Sequence, residues 1–192
     1  MKIIDDPKQY SDEESSDFFR EISRKFFDIE KHDDLEIPKS LLTYKSTNHK
    51  NRTLLHMLAN TYVRNAEGLN ALTSLIHLLI QNGAQVNERD LKGKTPLMLA
   101  ADNQLGGVPG RVQPMQVLID NQADVNALDN NGQSALYHAL CRYLNPESVS
   151  IREASAVLLV NSGANITENI REIFADELQN FNLEHSGFGM TR

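Results

Sequence analysis

The 192-residue chain has no tryptophan, one cysteine and only 6% aromatic residues. The lone Cys141 cannot close an internal disulfide, which fits a reducing compartment and a cytoplasmic location. No stretch approaches the roughly 18 uninterrupted apolar residues of a membrane span, so membrane insertion is not expected. The amino end, MKIIDDPKQY, turns acidic before the apolar core of a signal peptide can form, and export by the general secretory route is not expected either. A basic excess is also missing. The net charge is −7, whereas nucleic-acid binders are normally basic.

Catalytic signatures are equally scarce. There is no phosphate loop, dinucleotide fingerprint or zinc-binding helix. The histidines at 32, 49, 56, 77, 138 and 185 do not pair with acids or cysteines at metal-ligand spacing. His138 and Cys141 lie three apart, but no orienting third group completes a thiol–imidazole pair. The first 47 residues are too few for a self-sufficient catalytic core. No enzyme activity, cofactor or metal is expected.

What is present is self-similarity. Three stretches align on a hydroxyl residue: NRTLLHMLAN at Thr53, GKTPLMLAAD at Thr95 and GQSALYHALC at Ser134. Three more alternate with them: LLIQNGAQVNERD at Gly83, VLIDNQADVNALD at Gln122 and LLVNSGANITEN at Gly163. From Gly83 to Thr95 and from Gln122 to Ser134 the distance is 12 residues both times. From Thr53 to Gly83, Thr95 to Gln122 and Ser134 to Gly163 it is 30, 27 and 29. One half of the unit is therefore fixed in length and the other is elastic.

Each half has a physical reading. Thr95 and Ser134 suit an N-cap, and Pro96 suits the first helical turn, where its missing N–H would be unpaired anyway. The alanine-rich run after the cap gives a short helix whose neighbours can approach closely. A second helix ends in an apolar run such as LIHLLI (Leu75–Ile80). Gly83 or Gly163 closes it at the position that needs a left-handed backbone. The segments VNERDLKGK and VNALDNNGQ read as tight reversals, with Gly93, Gly132 and, in the first unit, Asn51 two residues ahead of the cap.

On these residues the chain resembles the ankyrin-repeat family, whose unit is a turn-like finger, an inner helix opening T-P-L-H and an outer helix closed by G-A-D-x-N. Thr95-Pro96-Leu97 and Thr53-x-Leu55-His56 match the first motif. Gly83-Ala84-x-Val86-Asn87, Ala123-Asp124-Val125-Asn126 and Gly163-Ala164-Asn165-Ile166 match the second. The resemblance covers about 48–168 and implies an all-α helical solenoid with capping helices at both ends. Met98 and Tyr137 stand where the motif has histidine, so the hydrogen bond that histidine gives the finger is not expected in units two and three. Against a family period of about 33 residues, the three units carry 9, 6 and 8 extra residues, all between the start of the inner helix and the end of the outer one.

The expected organisation is an acidic amino-terminal region, 1–47, three repeats at about 48–89, 90–128 and 129–168, and a capping helix and tail, 169–192. Residues 1–37 hold 12 Asp or Glu against 6 Lys or Arg, while the remainder hold 14 against 13. Phe18, Phe19, Ile22, Phe26 and Ile29 fall near one face of a helix, with Phe27 alongside; it either covers the first unit or binds a partner. Ile170, Ile173, Phe174 and Leu178 give the carboxyl-terminal cap its apolar side, and NLEHSGFGMTR reads as a frayed end. Of the elastic segments, DNQLGGVPGRVQPM is a loop, and the other two extend the helices in part.

The resemblance implies contact through finger tips and the exposed side of the inner helices. By register the candidates are His49, Lys50 and Arg52, with Asn60 and Thr61; then Leu91, Lys92, Lys94 and Asp102, with Asn103; then Asn130, Asn131, Gln133 and Arg142, with Cys141. Four cations, Lys50, Arg52, Lys92 and Lys94, share one register in an otherwise acidic chain and suit a partner with an acidic segment. The acidic amino-terminal region is a rival occupant of that strip. The expected function is a monomeric, non-catalytic adaptor or inhibitor. Alternatives are a translocated effector of an intracellular bacterium, acting on a host protein in the host cytosol, and an enzyme using the inserted loops. The resemblance further implies that Asn126 is open to an asparaginyl hydroxylase in an animal cell.

Overall fold

Three hydroxyl residues start three short helices. Thr53, Thr95 and Ser134 hold extended backbones, and each side-chain oxygen accepts the N–H three residues on, from His56, Met98 and Tyr137. Each cap satisfies one donor the helix leaves open, a contribution of about 1 kcal/mol. The computed structural model describes residues 39–46, 50–61, 63, 65–103, 112–141 and 149–181. Its elements in order are α1 (Lys39–Thr43), β1 (Lys45–Ser46), β2 (Arg52–Thr53), α2 (Leu54–Ala59), α3 (Ala66–Gln81), α4 (Pro96–Asp102), α5 (Gln113–Asp120), α6 (Ala135–Leu140), α7 (Val149–Asn161), α8 (Glu168–Ile173) and α9 (Ala175–Asn180).

The capped helices α2, α4 and α6 stack in that order to form the inner layer. Ala59, Ala101 and Ala139 are buried in it and permit the close approach. Each inner helix also packs on the outer helix that follows it, α3, α5 or α7. In α3 the buried residues Leu69, Leu72, Leu75, Ile76 and Leu79 recur at helical spacing, while Glu67, Asn70, Ser74, His77 and Gln81 face water. With Leu55, Leu58, Leu97, Leu99, Leu118, Leu136 and Leu159 they belong to one continuous core. Each such side chain contributes about 1.5–3 kcal/mol by leaving water. The solenoid is therefore held by neighbours covering neighbours, as the cap-aligned segments predicted.

All three outer helices close in the same way. Gly83, Gln122 and Gly163 have φ of +97°, +67° and +90°. The next residue's N–H, from Ala84, Ala123 or Ala164, reaches back to the carbonyl of Leu79, Leu118 or Leu159 at 2.9–3.0 Å. Gln122 takes this left-handed conformation without being glycine.

The elastic length goes into the outer helices of units one and three: α3 has 16 residues and α7 has 13, against 8 in α5. Residues 104–111, most of the expected middle loop, lie outside the described residues. So do Phe18, Phe19, Ile22, Phe26, Phe27 and Ile29, and the tail from 182.

Two details differ from the sequence reading. The only strand pairing among the described residues is a two-residue antiparallel hairpin, Lys45 opposite Thr53 and Ser46 opposite Arg52, so the first finger takes in residues on the amino-terminal side of the boundary at 48. The carboxyl-terminal cap is two helices rather than one, broken at Phe174. Ile170, Phe174, Leu178 and Phe181 are buried, but the break turns Ile173 outward, 47% exposed.

Candidate protein-binding face

Fingers two and three are built around carboxylates. Asp90 and Asp129 each stand five residues before a cap. Asp90 Oδ1 accepts the backbone N–H of Lys92 (2.8 Å) and Lys94 (2.9 Å). Asp129 Oδ1 accepts those of Asn131 (2.8 Å) and Gln133 (3.0 Å). The main chain closes the same turn, with Asp90 N–H on Lys94 O and Gly93 N–H on Asp90 O, repeated at Asp129, Gln133 and Gly132. Gly93 and Gly132 sit at φ +74°; in the first finger Lys50 and Asn51 take +58° and +60°. The expected positive φ at Gly93, Gly132 and Asn51 is thus observed.

Successive fingers are tied to each other. Leu91 N–H donates to Lys50 O (2.8 Å) and Asn130 N–H to Lys92 O (2.9 Å). Asn130 Nδ2 donates to Leu91 O (3.0 Å), and Arg89 Nη1 to Leu128 O (2.8 Å). Arg52 Nε donates to Asp90 Oδ2 at 3.1 Å, onto a carboxylate with no exposed surface. Lys45 pairs with Glu88. At the other end of the unit, Asn87 donates to Gln122 O and accepts Asp124 N–H, and Asn126 does the same with Gly163 O and Asn165 N–H. The amide of Asn126, singled out for hydroxylation, is therefore engaged on both sides.

His56 and His138 are structural. His56 has no exposed surface. Its Nδ1 accepts the Thr53 N–H (3.3 Å) and lies 2.7 Å from the Thr53 hydroxyl, so the proton is on Nε2, which donates to Lys94 O in the next finger (3.1 Å). Burial pushes its pKa below the ordinary value, against the pull of the Lys94 carbonyl. In unit two the Met98 sulfur replaces Nδ1, at 3.5 Å from Thr95 N. In unit three Tyr137 meets the cap instead, its ring edge-on to Phe174 at 5.2 Å. The neighbouring His138 takes over the finger contact through Nε2 to Asp129 Oδ2 (3.1 Å). Burial and the Lys94 charge lower the His138 pKa. Burial works to raise that of Asp129, but the N–H groups of Gln133 and Asn131 and the His138 ring hold it below the usual carboxylate range. No hydrogen bond joins His138 to Cys141, which is half-buried.

The structure divides the candidate residues. Lys50, Lys92 and Asn131 are exposed, and Leu91 is 65% exposed. Asn130 is exposed but held by its two bonds to finger two. Arg52 is committed to Asp90, and Lys94 to Asp102 at 3.2 Å, leaving their side chains 14% exposed each. Gln133 is half-buried. Asn103 Nδ2 donates to Thr61 O, joining the ends of α2 and α4. His49 and Arg142 lie outside the described residues. Asp90 and Asp129 were missed as organising groups, although an Asp five places before a cap in two units was a readable signal. Among the described residues no group of three His, Cys, Asp or Glu is placed to hold a metal, and no helix is long and apolar enough to cross a membrane.

A family model described as "Ankyrin repeats (3 copies)" matches residues 62–170, more than half of the chain. The chain belongs to the ankyrin-repeat family. Mouse ankyrin repeat and SOCS box protein 6 (Mus musculus) is 37% identical over 90 residues, covering 46% of this chain and 20% of the relative. Ankyrin repeat protein OPG189 of Variola virus is 28% identical over 90 residues, covering 47% and 15%. Neurogenic locus notch homolog protein 1 of Xenopus laevis is 36% identical over 99 residues, covering 51% and 3%. The ankyrin-repeat chain thus spans about a fifth or less of the length of these relatives. Ankyrin repeats are protein–protein interaction modules and generally non-catalytic.

Proposed function

We propose that this chain captures a protein partner along the face made by its finger tips and the exposed sides of α2, α4 and α6, as a monomeric cytoplasmic adaptor or inhibitor that catalyses no reaction. The observation that carries the reading is rigidity. Fingers two and three are folded round buried carboxylates and the three fingers are tied to one another, while Lys50, Leu91, Lys92, Asn130 and Asn131 keep surface in water along one edge. A preformed edge loses little conformational entropy on binding. The partner is proposed to present an acidic segment, because Lys50 and Lys92 on that edge form no ion pair with an acid among the described residues. What the relatives' names attach to them, such as a SOCS box, concerns those proteins. The test is hydrogen exchange on the chain with and without a captured partner. Protection of the fingers and inner helices supports the reading; protection confined to the outward faces of α3, α5 and α7 defeats it.

A further inference from the structure

Lys50 and Lys92 come together at the tips of fingers one and two, and no acid among the described residues forms an ion pair with either. The acids of the first two fingers and of α4, among the described residues, are already occupied. Glu88 is held by Lys45, Asp90 is buried under Arg52 with its other oxygen taken by two backbone N–H groups, and Asp102 holds Lys94. The charge of Lys92 is the largest influence pushing the Lys50 pKa below its ordinary value, followed by burial and Arg52. Next to Lys92 in the chain, and bonded to the Lys50 backbone, stands Leu91, the most exposed large apolar side chain among the described residues. Its N–H is bound to Lys50 O and its carbonyl to Asn130 Nδ2, so the side chain is presented from a fixed backbone. Two like charges beside a leucine in water are unfavourable in the unbound protein and complementary to a ligand carrying anions next to an apolar group.

We propose that Lys50, Leu91 and Lys92 form one anchor for an extended segment of a partner protein in which two neighbouring carboxylates adjoin an apolar side chain. The anchor rests on the reading of the finger tips as the contact edge and narrows it. Arg52, which ties finger one to finger two, and Lys94, which folds onto Asp102 of its own unit, take no part in capture. Two carboxylates relieve the repulsion between the ammonium groups, and Leu91 adds apolar contact at little ordering cost.

The test pans the full chain against a random peptide library on phage and titrates the enriched peptides, labelled with fluorescein, by anisotropy at low and high salt. Enriched peptides should pair two acids with Leu, Ile, Phe or Met. Their affinity at low salt should fall by about tenfold in the Lys50→Gln/Lys92→Gln double variant, with a further loss in Leu91→Ser. Both positions are exposed, so an unchanged circular dichroism melt certifies the fold. Enrichment without acid pairs, or affinity unchanged in the double variant, overturns the anchor. If such peptides still protect the inner helices from exchange, the contact face stands and only the anchor falls. Neutralising the acidic region in the full chain (Asp12→Asn, Glu13→Gln, Glu14→Gln, Asp17→Asn) should leave peptide affinity unchanged. A tightening would make that region the occupant and overturn the assignment to a partner.

Discussion

Replacing His56 by leucine isolates what the inner-helix histidine contributes. The substitution keeps most of the volume, so cavity formation is a minor cost. It removes the Nε2 bond to Lys94 O and leaves the Thr53 N–H without its imidazole acceptor. Lys94 O keeps the N–H of Asp90, which limits the damage on that side. At about 1 kcal/mol per hydrogen bond, and 1–3 kcal/mol for a buried group left unpaired, the loss should be about 2–3 kcal/mol near neutral pH. The pH dependence gives a second, sharper reading. The folded pKa of His56 lies below the unfolded value of about 6.5. Its contribution is therefore complete above that pH and is lost as pH falls through it, because the unfolded chain takes up a proton the fold refuses. The slope is at most about 1.4 kcal/mol per pH unit for each such histidine, and His138 shifts in the same direction. Urea denaturation followed by circular dichroism, at about pH 7.5 and about pH 5.5, should show wild type losing more stability on acidification than His56→Leu. Equal losses in the two proteins would refute the neutral staple.

Three further outcomes follow from the same geometry. Gly132→Ala should cost about 1 kcal/mol for its positive φ alone, since an added Cβ meets nothing within 4 Å. Gly93→Ala should cost about 1–3 kcal/mol more, because its Cβ would lie 2.4 Å from Asn130 Oδ1 and 2.9 Å from the Asn130 backbone nitrogen. Paired thermal melts compare the two. Arg52→Ala should lower stability by about 2–4 kcal/mol by stranding the buried Asp90 carboxylate, while Lys50→Ala stays within about 0.5 kcal/mol; urea midpoints separate them. Gln122→Gly should raise stability by about 0.5–1 kcal/mol, because it relieves φ +67° and the Asn87 bond falls on the backbone carbonyl; a rise in melting temperature is the readout.

What the sequence disclosed was whatever is settled within a few residues. A cap, a proline at the first turn and a glycine at positive φ act locally, so Thr53, Thr95, Ser134, Pro96, Gly83, Gly93, Gly132 and Gly163 could be placed from spacing alone. Register also put Lys50, Arg52, Lys92 and Lys94 on one edge. It could not show that Arg52 spans to Asp90, 38 positions away, because that pairing depends on the offset between stacked units, or that Lys94 folds back onto Asp102 of its own unit, which depends on how the finger lies against the end of α4. Ile173 was grouped with the cap's apolar side by a helical period that stops at Phe174. The hairpin at Lys45–Ser46 carries no period at all.

The two missing motif histidines become intelligible once the junctions are compared. A histidine at the third position after the cap is useful where a following finger offers a carbonyl, as Lys94 does to His56. Unit three has no following finger, and Tyr137 there spends its ring on Phe174 of the cap. Unit two keeps only a weak sulfur contact at Met98, and finger three is held through Asp129 by His138 and through the bonds that Asn130 and Arg89 make to backbone carbonyls. Ion pairs between fingers, Lys45–Glu88 and Arg52–Asp90, are thus concentrated at the first junction. These pairings consume the acids nearest the first two tips. Lys50 and Lys92 are left exposed because holding the stack together has already used the acids that would have neutralised them among the described residues.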